Sequence, residues 1–255
     1  MLLEKKTAIV YGAAGAVGSA VARAYAREGA DVHLVGRTAT TLDRVAESIR
    51  SAGGTCHVAA VDVLDRAAVD RHATAAVESS GTIDICFNAT SNDDIQGRSL
   101  VDTTFGEFVQ PVTKSLTAHF NIATTAAKHM ARGGAGVILV MGGGREAIPR
   151  LGGSHVAWAA LAGLSRQLAA DLGPSNIRVV WLLSPGSPDL DHADREPENA
   201  TRDDTEEAAP GTIGLLPEHR PSYQQVADVA VFLASDAAAT MTATEINLTG
   251  GAVID

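Results

Sequence analysis

The sequence predicts an α/β domain: an open, doubly wound, mainly parallel sheet of seven strands with helices on both faces. Three observations predict it. Short apolar runs alternate with amphipathic helical segments along the chain, the pattern of repeated strand–helix–strand crossovers. Apolar residues make up 45% of the 255 residues but aromatics only 4%, so the core is built from Ala, Val, Leu and Ile, as suits a sheet covered by small-faced helices. A glycine-rich turn, "YGAAGAVG" (Tyr11 to Gly18), joins the first apolar run to the first helical one.

In order, Thr7 to Tyr11 is the first strand. The helix after it, from about Ala16 to Glu28, has Val17, Ala20, Val21, Ala24 and Tyr25 on one face. Asp31 to Gly36 is the second strand. The next helix has Thr38 or Thr40 as N-cap and Gly53 as its stop. Cys56 to Val63 is the third strand, Arg66 to Ser80 a helix, and Ile83 to Ala89 the fourth strand. A long helix from about Phe105 to Arg132 is interrupted at Pro111. Gly136 to Gly144 is the fifth strand. The helix from Ser154 to Gly173 carries Leu161, Leu164, Leu168 and Leu172 as a stripe extended by Ala157 and Ala160, with Ser165, Arg166 and Asp171 outward. Asn176 to Gly186 is the sixth strand. "YQQVADVAVFLAS" is a helix and "EINLTGG" the last strand. The whole chain, 1–255, reads as one domain. Residues 187–222 break the rhythm with ten acidic residues and five prolines, and read as a mobile lid over the carboxyl ends of the strands.

The formal charge of −10 argues against nucleic acid as a partner. No apolar run reaches membrane-spanning length, and the start lacks a signal-peptide core, so a cytoplasmic location is expected. Cys56 and Cys86 read as small buried hydrophobes rather than a disulfide or metal pair. His33, His57, His72, His129 and His219 show no ligand spacing, so no metal site is expected.

A glycine turn at a strand-to-helix junction lets the backbone approach a pyrophosphate, which the helix N-terminus then binds through its free N–H groups and dipole. Here the sequence resembles the short-chain dehydrogenase/reductase family, over nearly its whole length. The family's Thr-Gly-x-x-x-Gly-x-Gly turn is met by Tyr11, Gly12, Ala16 and Gly18, with Val17 between, and Gly15 stands one position early to restore backbone freedom. Asp62-Val63 matches the pair that holds the adenine. Asn88, Ala89 and Thr90 match the family's Asn-Asn-Ala-Gly, Pro185-Gly186 the turn beside the nicotinamide, and "LASDAAATMTATEINLTGGAVID" the C-terminal signature. The resemblance implies a Rossmann-type dinucleotide-binding fold. At the end of the second strand stands Arg37 rather than an acid, which favours NADP(H), since a guanidinium clamps a 2′-phosphate that a carboxylate would repel.

The family's chemistry uses Asn, Ser, Tyr and Lys. The lysine, four residues after the tyrosine, lowers the phenol's pKa, and the serine polarises the carbonyl oxygen. This chain has no Tyr-x-x-x-Lys; its tyrosines are Tyr11, Tyr25 and Tyr223. Aligning "SHVAWAALAGL" with the family's Tyr-x-x-x-Lys-Ala-Ala-Leu-x-Gly-Leu puts Ser154 at the tyrosine and Trp158 at the lysine. Thirteen residues before Ser154 is Met141, at the serine, and Ser115 falls at the asparagine, with Asn121 six positions too late to replace it. The usual relay is therefore replaced. His155, next to Ser154, is a candidate acid because an imidazole is suited to proton transfer, although helical geometry turns it about a quarter turn away. Arg145 and Glu146 read as a surface ion pair at the pocket rim, His119 as a packed interface histidine, and His192 as solvated.

The implied function is an NADP(H)-binding oxidoreductase with a nonstandard proton donor, acting on a small carbonyl or hydroxy compound. The alternatives are a non-redox enzyme (dehydratase, cyclase or isomerase) with the nucleotide lost or structural, and an inactive nucleotide-binding regulator. By the same resemblance a homotetramer or dimer is expected.

Overall fold

The computed structural model describes residues 1–145, 148–184 and 221–254. Seven strands run in the order β3-β2-β1-β4-β5-β6-β7. They are β1 (Thr7–Tyr11), β2 (Asp31–Gly36), β3 (Thr55–Ala60), β4 (Ile85–Asn88), β5 (Gly136–Gly142), β6 (Ile177–Leu183) and β7 (Thr244–Asn247), and every neighbouring pair is parallel. The helices are α1 (Ala16–Arg27), α2 (Ala39–Ser51), α3 (Arg66–Ser80), α4 (Phe105–Gly133), α5 (Ser154–Leu172) and α6 (Tyr223–Ala234). The expected α/β sheet is present. Helices α1, α2 and α6 bury one face around Tyr25, Leu34, Phe87 and Leu182, while α3, α4 and α5 bury the other around Ile9, Ile122, Ile138 and Val179. All but the last two residues of the expected lid, 187–222, lie outside the described residues.

Strand alternation explains both cores. In β5, Val137 and Leu139 face α1 and α6, whereas Ile138 faces α4 and α5. Cys56 and Cys86 are free and buried, as small core residues. Two helical expectations need correction. Helix α4 runs unbroken through Pro111. The proline lies in its second turn, so only one backbone bond is lost. A capping box between Thr104 and Glu107 pins the first turn, and the ring is buried against the start of α5. On α5 the buried stripe runs Ala157, Leu161, Ser165, Leu168, Ala169; Ser165, expected outside, is fully buried because α4 packs along that side.

Chain direction away from β1 reverses between the β2 side and the β4 side, so a crevice opens at the carboxyl ends of β1 and β4, where open α/β sheets bind ligands. Gly12 leaves β1 with φ +76°, and a Cβ on it would sit 2.5 Å from the Ala89 carbonyl oxygen that follows β4. Gly18, in the first turn of α1, packs on that same turn: a Cβ there would lie 2.2 Å from the Gly12 carbonyl oxygen. Gly18→Ala is therefore expected to destabilise the fold by roughly 1–3 kcal/mol, since backbone rather than a flexible side chain must yield. Urea denaturation checks it; an unchanged midpoint would contradict the packing described.

Candidate functional site

The glycine turn, the end of β2 and the loop after β3 enclose a cleft of about 390 Å³. Gly12, Gly15, Arg37, Asp62, Val63 and Ala89 line it, as expected from the sequence. Gly15 is the N-cap of α1 and offers no side chain to the helix's first N–H groups, which are left to a ligand. Its φ of −74° is ordinary, so its contribution is open space rather than the conformational freedom expected of it. Ala16, Val17 and Gly18 form the first turn above it. Asp62 turns the loop by accepting from the Leu64 N–H at 3.0 Å, and Asn121 of α4 donates to the Val63 carbonyl at 3.0 Å. Asn121 thus ties down the cleft wall and stays away from the catalytic positions. Asn88 is buried and shapes the next loop, its Oδ1 accepting from the Thr90 N–H and hydroxyl at 3.0 and 2.8 Å. Pro185 and Gly186 lie outside the described residues.

A second cation enters this cleft that sequence reasoning missed. Lys114, on α4 one residue before Ser115, lines the cleft with Arg37. Both meet one carboxylate: Asp93 bonds the Lys114 ammonium, and Arg37 Nη1 stands 3.8 Å from Asp93 Oδ2. Burial, and then the Arg37 guanidinium, lower the Lys114 pKa, while Asp62 opposes the shift. Two cations converging at one point of a cleft are chemically suited to a phosphate group.

Ser154 and Trp158, expected from the sequence at the tyrosine and lysine positions, both lie on α5. Ser154 begins α5 and is fully buried. Its hydroxyl donates to Asp94 Oδ2, and Gln96 Nε2 donates to the same carboxylate at 2.6 Å. Asp93 and Asp94 are consecutive residues of the loop after β4, so this loop reaches from the cation pair to the head of α5. Trp158, one turn along α5, lies on the backbone of Gly143, where a Cβ would come 2.1 Å from the indole. Met141 does not join this group. It follows Val137 and Leu139 on the α1 and α6 face of β5, and Gly143 is the residue beneath α5. Counting back thirteen positions thus reaches a side chain that does not face α5, and Gly143, which does, provides no hydroxyl. Ser115 is buried on α4.

His155 Nε2 stands 2.6 Å from the Arg145 carbonyl, so the ring is turned onto the loop after β5 and not toward Asp94. Arg145 pairs with Glu245 of β7 at 2.6 Å. Glu146, its expected partner, and His192 lie outside the described residues. Burial raises the pKa of Tyr11 and Tyr25 well above the usual phenol value, and neither borders the site. His119 is packed, as expected, but inside the subunit rather than at an interface: its exposure is zero. It sits between Asn88 Nδ2 at 3.4 Å and Ser165 Oγ at 3.5 Å.

Burial lowers the His119 pKa to about 4. Its unfolded value is about 6.5, so the unfolded state binds more protons between those values and stability falls as the pH drops through that window. His119→Gln is expected to remove up to about 3 kcal/mol of this acid sensitivity, at some cost in stability at neutral pH. Denaturation curves at pH 7 and pH 4 measure the difference; equal acid sensitivity in both proteins would contradict it.

Comparison with known proteins agrees with this geometry. The family profile described as Enoyl-(Acyl carrier protein) reductase matches residues 12–253. D-threitol dehydrogenase of Mycolicibacterium smegmatis is 29% identical, over 99% of this chain and 94% of that protein. The 2,3-dihydro-2,3-dihydroxybenzoate dehydrogenase of Bacillus subtilis is 27% identical, over 99% and 97%. A short-chain dehydrogenase from Burkholderia cenocepacia, solved in complex with NADP, superposes with a TM-score of 0.81 at 25% identity, covering 99% of both chains. The parallel seven-stranded sheet, the glycine turn at its switch point and these matches together make the chain a member of the short-chain dehydrogenase/reductase family.

Proposed function

We propose that the protein is an NADP(H)-dependent oxidoreductase acting on a small hydroxy or carbonyl compound, with Asp94 as the proton-handling group in place of the family's tyrosine. The observation that carries the cofactor reading is the pairing of Arg37 and Lys114 in the cleft beside the glycine turn. The residues present fit the dinucleotide: the cleft is open at Gly15, and the first turn of α1 is uncapped by any side chain. Arg37 and Lys114 would hold the 2′-phosphate after Asp93 releases them. The Gly15–Gly18 turn would hold the pyrophosphate, and Asp62 the adenine. The solved relative bound to NADP supports the same reading.

When bound, the nicotinamide supplies the acceptor or donor of a hydride. The chain's own residues handle the proton. Asp94 is bonded to Ser154 at the head of α5, and a carboxylate in that position accepts the proton of a substrate hydroxyl as its C–H bond is broken. Ser154 and Gln96 orient the carboxylate. Trp158 cannot carry charge; its indole gives the site an apolar wall beside Gly143. Ser154 is fully buried beneath Asp94 and Gln96, whereas Asp94 is half-buried and Gln96 exposed, so the carboxylate is reached from solvent as the loop stands. Oxidation of vicinal diols is the first activity to test, since two relatives are named for such substrates. By the family resemblance the protein would act as a homotetramer or dimer.

The test is a panel of polyols, cyclic diols and hydroxysteroids offered with NADP⁺ and, separately, with NAD⁺. Reduction of NADP⁺ in preference to NAD⁺ by at least one substrate is expected. Tight cofactor binding without turnover across the panel would instead support a regulatory role, and no binding would support a non-redox enzyme.

A further inference from the structure

The linear spacing of the histidines contains no ligand motif, yet parallel pairing of β2 with β3 builds one. His33 and His57 are direct partners in that register and project on the α3 side. Their rings stack with centroids 4.6 Å apart and planes 22° from parallel. Asp31, two residues before His33, places its carboxylate beside both: His57 Nε2 is 3.0 Å from Oδ1 and 3.2 Å from Oδ2. Ser80, the last residue of α3, donates to Asp31 Oδ2 at 2.7 Å, and its Oγ is 3.0 Å from His33 Nε2. One donor atom from each of Asp31, His33 and His57 lies within 4.8 Å of the other two.

We propose that Asp31, His33 and His57 form a binding site for a divalent transition metal, with Zn²⁺ as the best match. Two imidazoles and one carboxylate are a zinc donor set, and Ser80 or a water completes four-coordination. Two features set the group apart from an ordinary ion pair. Asp31 Oδ1 is shut off from solvent yet accepts no hydrogen bond, although His57 Nε2 is within reach of it. His33 is buried, its ring held between the stacked His57 ring and Ser80 Oγ. Around tetrahedral zinc the donor atoms stand about 3.4 Å apart, so closing the site takes a shift on the order of 1 Å. His57, on the edge strand with its side chain 45% exposed, is free to make that shift, and it gives the ion a route from solvent. The bound ion would pin the edge strand β3 to β2 and to the end of α3, at a distance from the dinucleotide cleft.

The experiment uses the full chain without a polyhistidine tag. Zn²⁺ is titrated by calorimetry, and Co²⁺ is titrated by visible absorption, which reports tetrahedral coordination. The expected result is one ion per chain with a Kd of about 1 μM or tighter, a tetrahedral Co²⁺ spectrum, and a rise in Tm with Zn²⁺. His57→Gln, at an exposed position, and Asp31→Asn, which keeps the side chain's shape at a half-buried one, are each expected to weaken binding at least tenfold and to abolish the Tm rise, with unchanged circular dichroism. No saturable binding below about 1 mM, or binding that survives both substitutions but is lost in His155→Gln, would overturn the proposal.

Discussion

An Arg37→Ala, Lys114→Ala double variant is expected to bind NADPH on the order of a hundredfold more weakly than the parent protein, while its affinity for NADH changes by about threefold or less. The two cofactors differ only in the 2′-phosphate, and these are the two cations that converge in the cleft. A hydrogen bond to a charged group contributes about 1.5–3 kcal/mol, and two of them would exceed the predicted effect. Two features reduce it. The Arg37 side chain is 71% exposed and so is screened by solvent, and Asp93 must first be displaced. For the same reason the parent's preference for NADPH should shrink as salt is raised. Equal losses for both cofactors would mean that the cations serve the cleft's structure and not the phosphate.

Asp94→Asn is expected to lower kcat by about 100- to 1,000-fold in the diol oxidation while leaving the NADP⁺ Kd within about twofold of the parent value. Asparagine keeps the shape, and its oxygen still accepts from Ser154, so the loop after β4 should stay in place. What it loses is the capacity to take a proton. Ser154→Ala is the companion: it removes the hydroxyl that orients the carboxylate, and should cost about tenfold rather than the full amount. His155→Gln should have little effect, because His155 is held on the Arg145 carbonyl. The reverse order, with His155→Gln inactive and Asp94→Asn active, would return the proton to His155 and require the α5 head to be arranged differently.

The order of the fold's elements was legible because strands buried on both faces read as apolar runs, and helices between them carry a periodic stripe. The sites of error have physical causes. Pro111 reads as a break, but a proline in the second turn loses one bond, and tertiary packing against α5 compensates. Ser165 reads as surface because serine is polar; its burial depends on His119, which is 46 residues away in the chain. Met141 was reached by carrying a family spacing through a loop, and strand alternation put its side chain on the other face. The cofactor residues at Gly12, Gly15, Arg37 and Asp62 were found because they sit at fixed places relative to strand ends. Lys114, Asp93 and Asp94 carried no signal at all. They are ordinary polar residues whose meaning comes from the loop after β4 lying across the cleft. The Asp31, His33 and His57 group was likewise hidden, since only strand pairing brings residue 57 beside residue 33.

The central claim is that a cradle for NADP(H) persists in a chain whose sequence contains no Tyr-x-x-x-Lys. Calorimetric titration of the purified protein with NADPH, and in parallel with NADH, tests it most directly. The account predicts one saturable site per chain for NADPH, at least tenfold tighter than for NADH. Heat from neither nucleotide, or tighter binding of NADH, would contradict it.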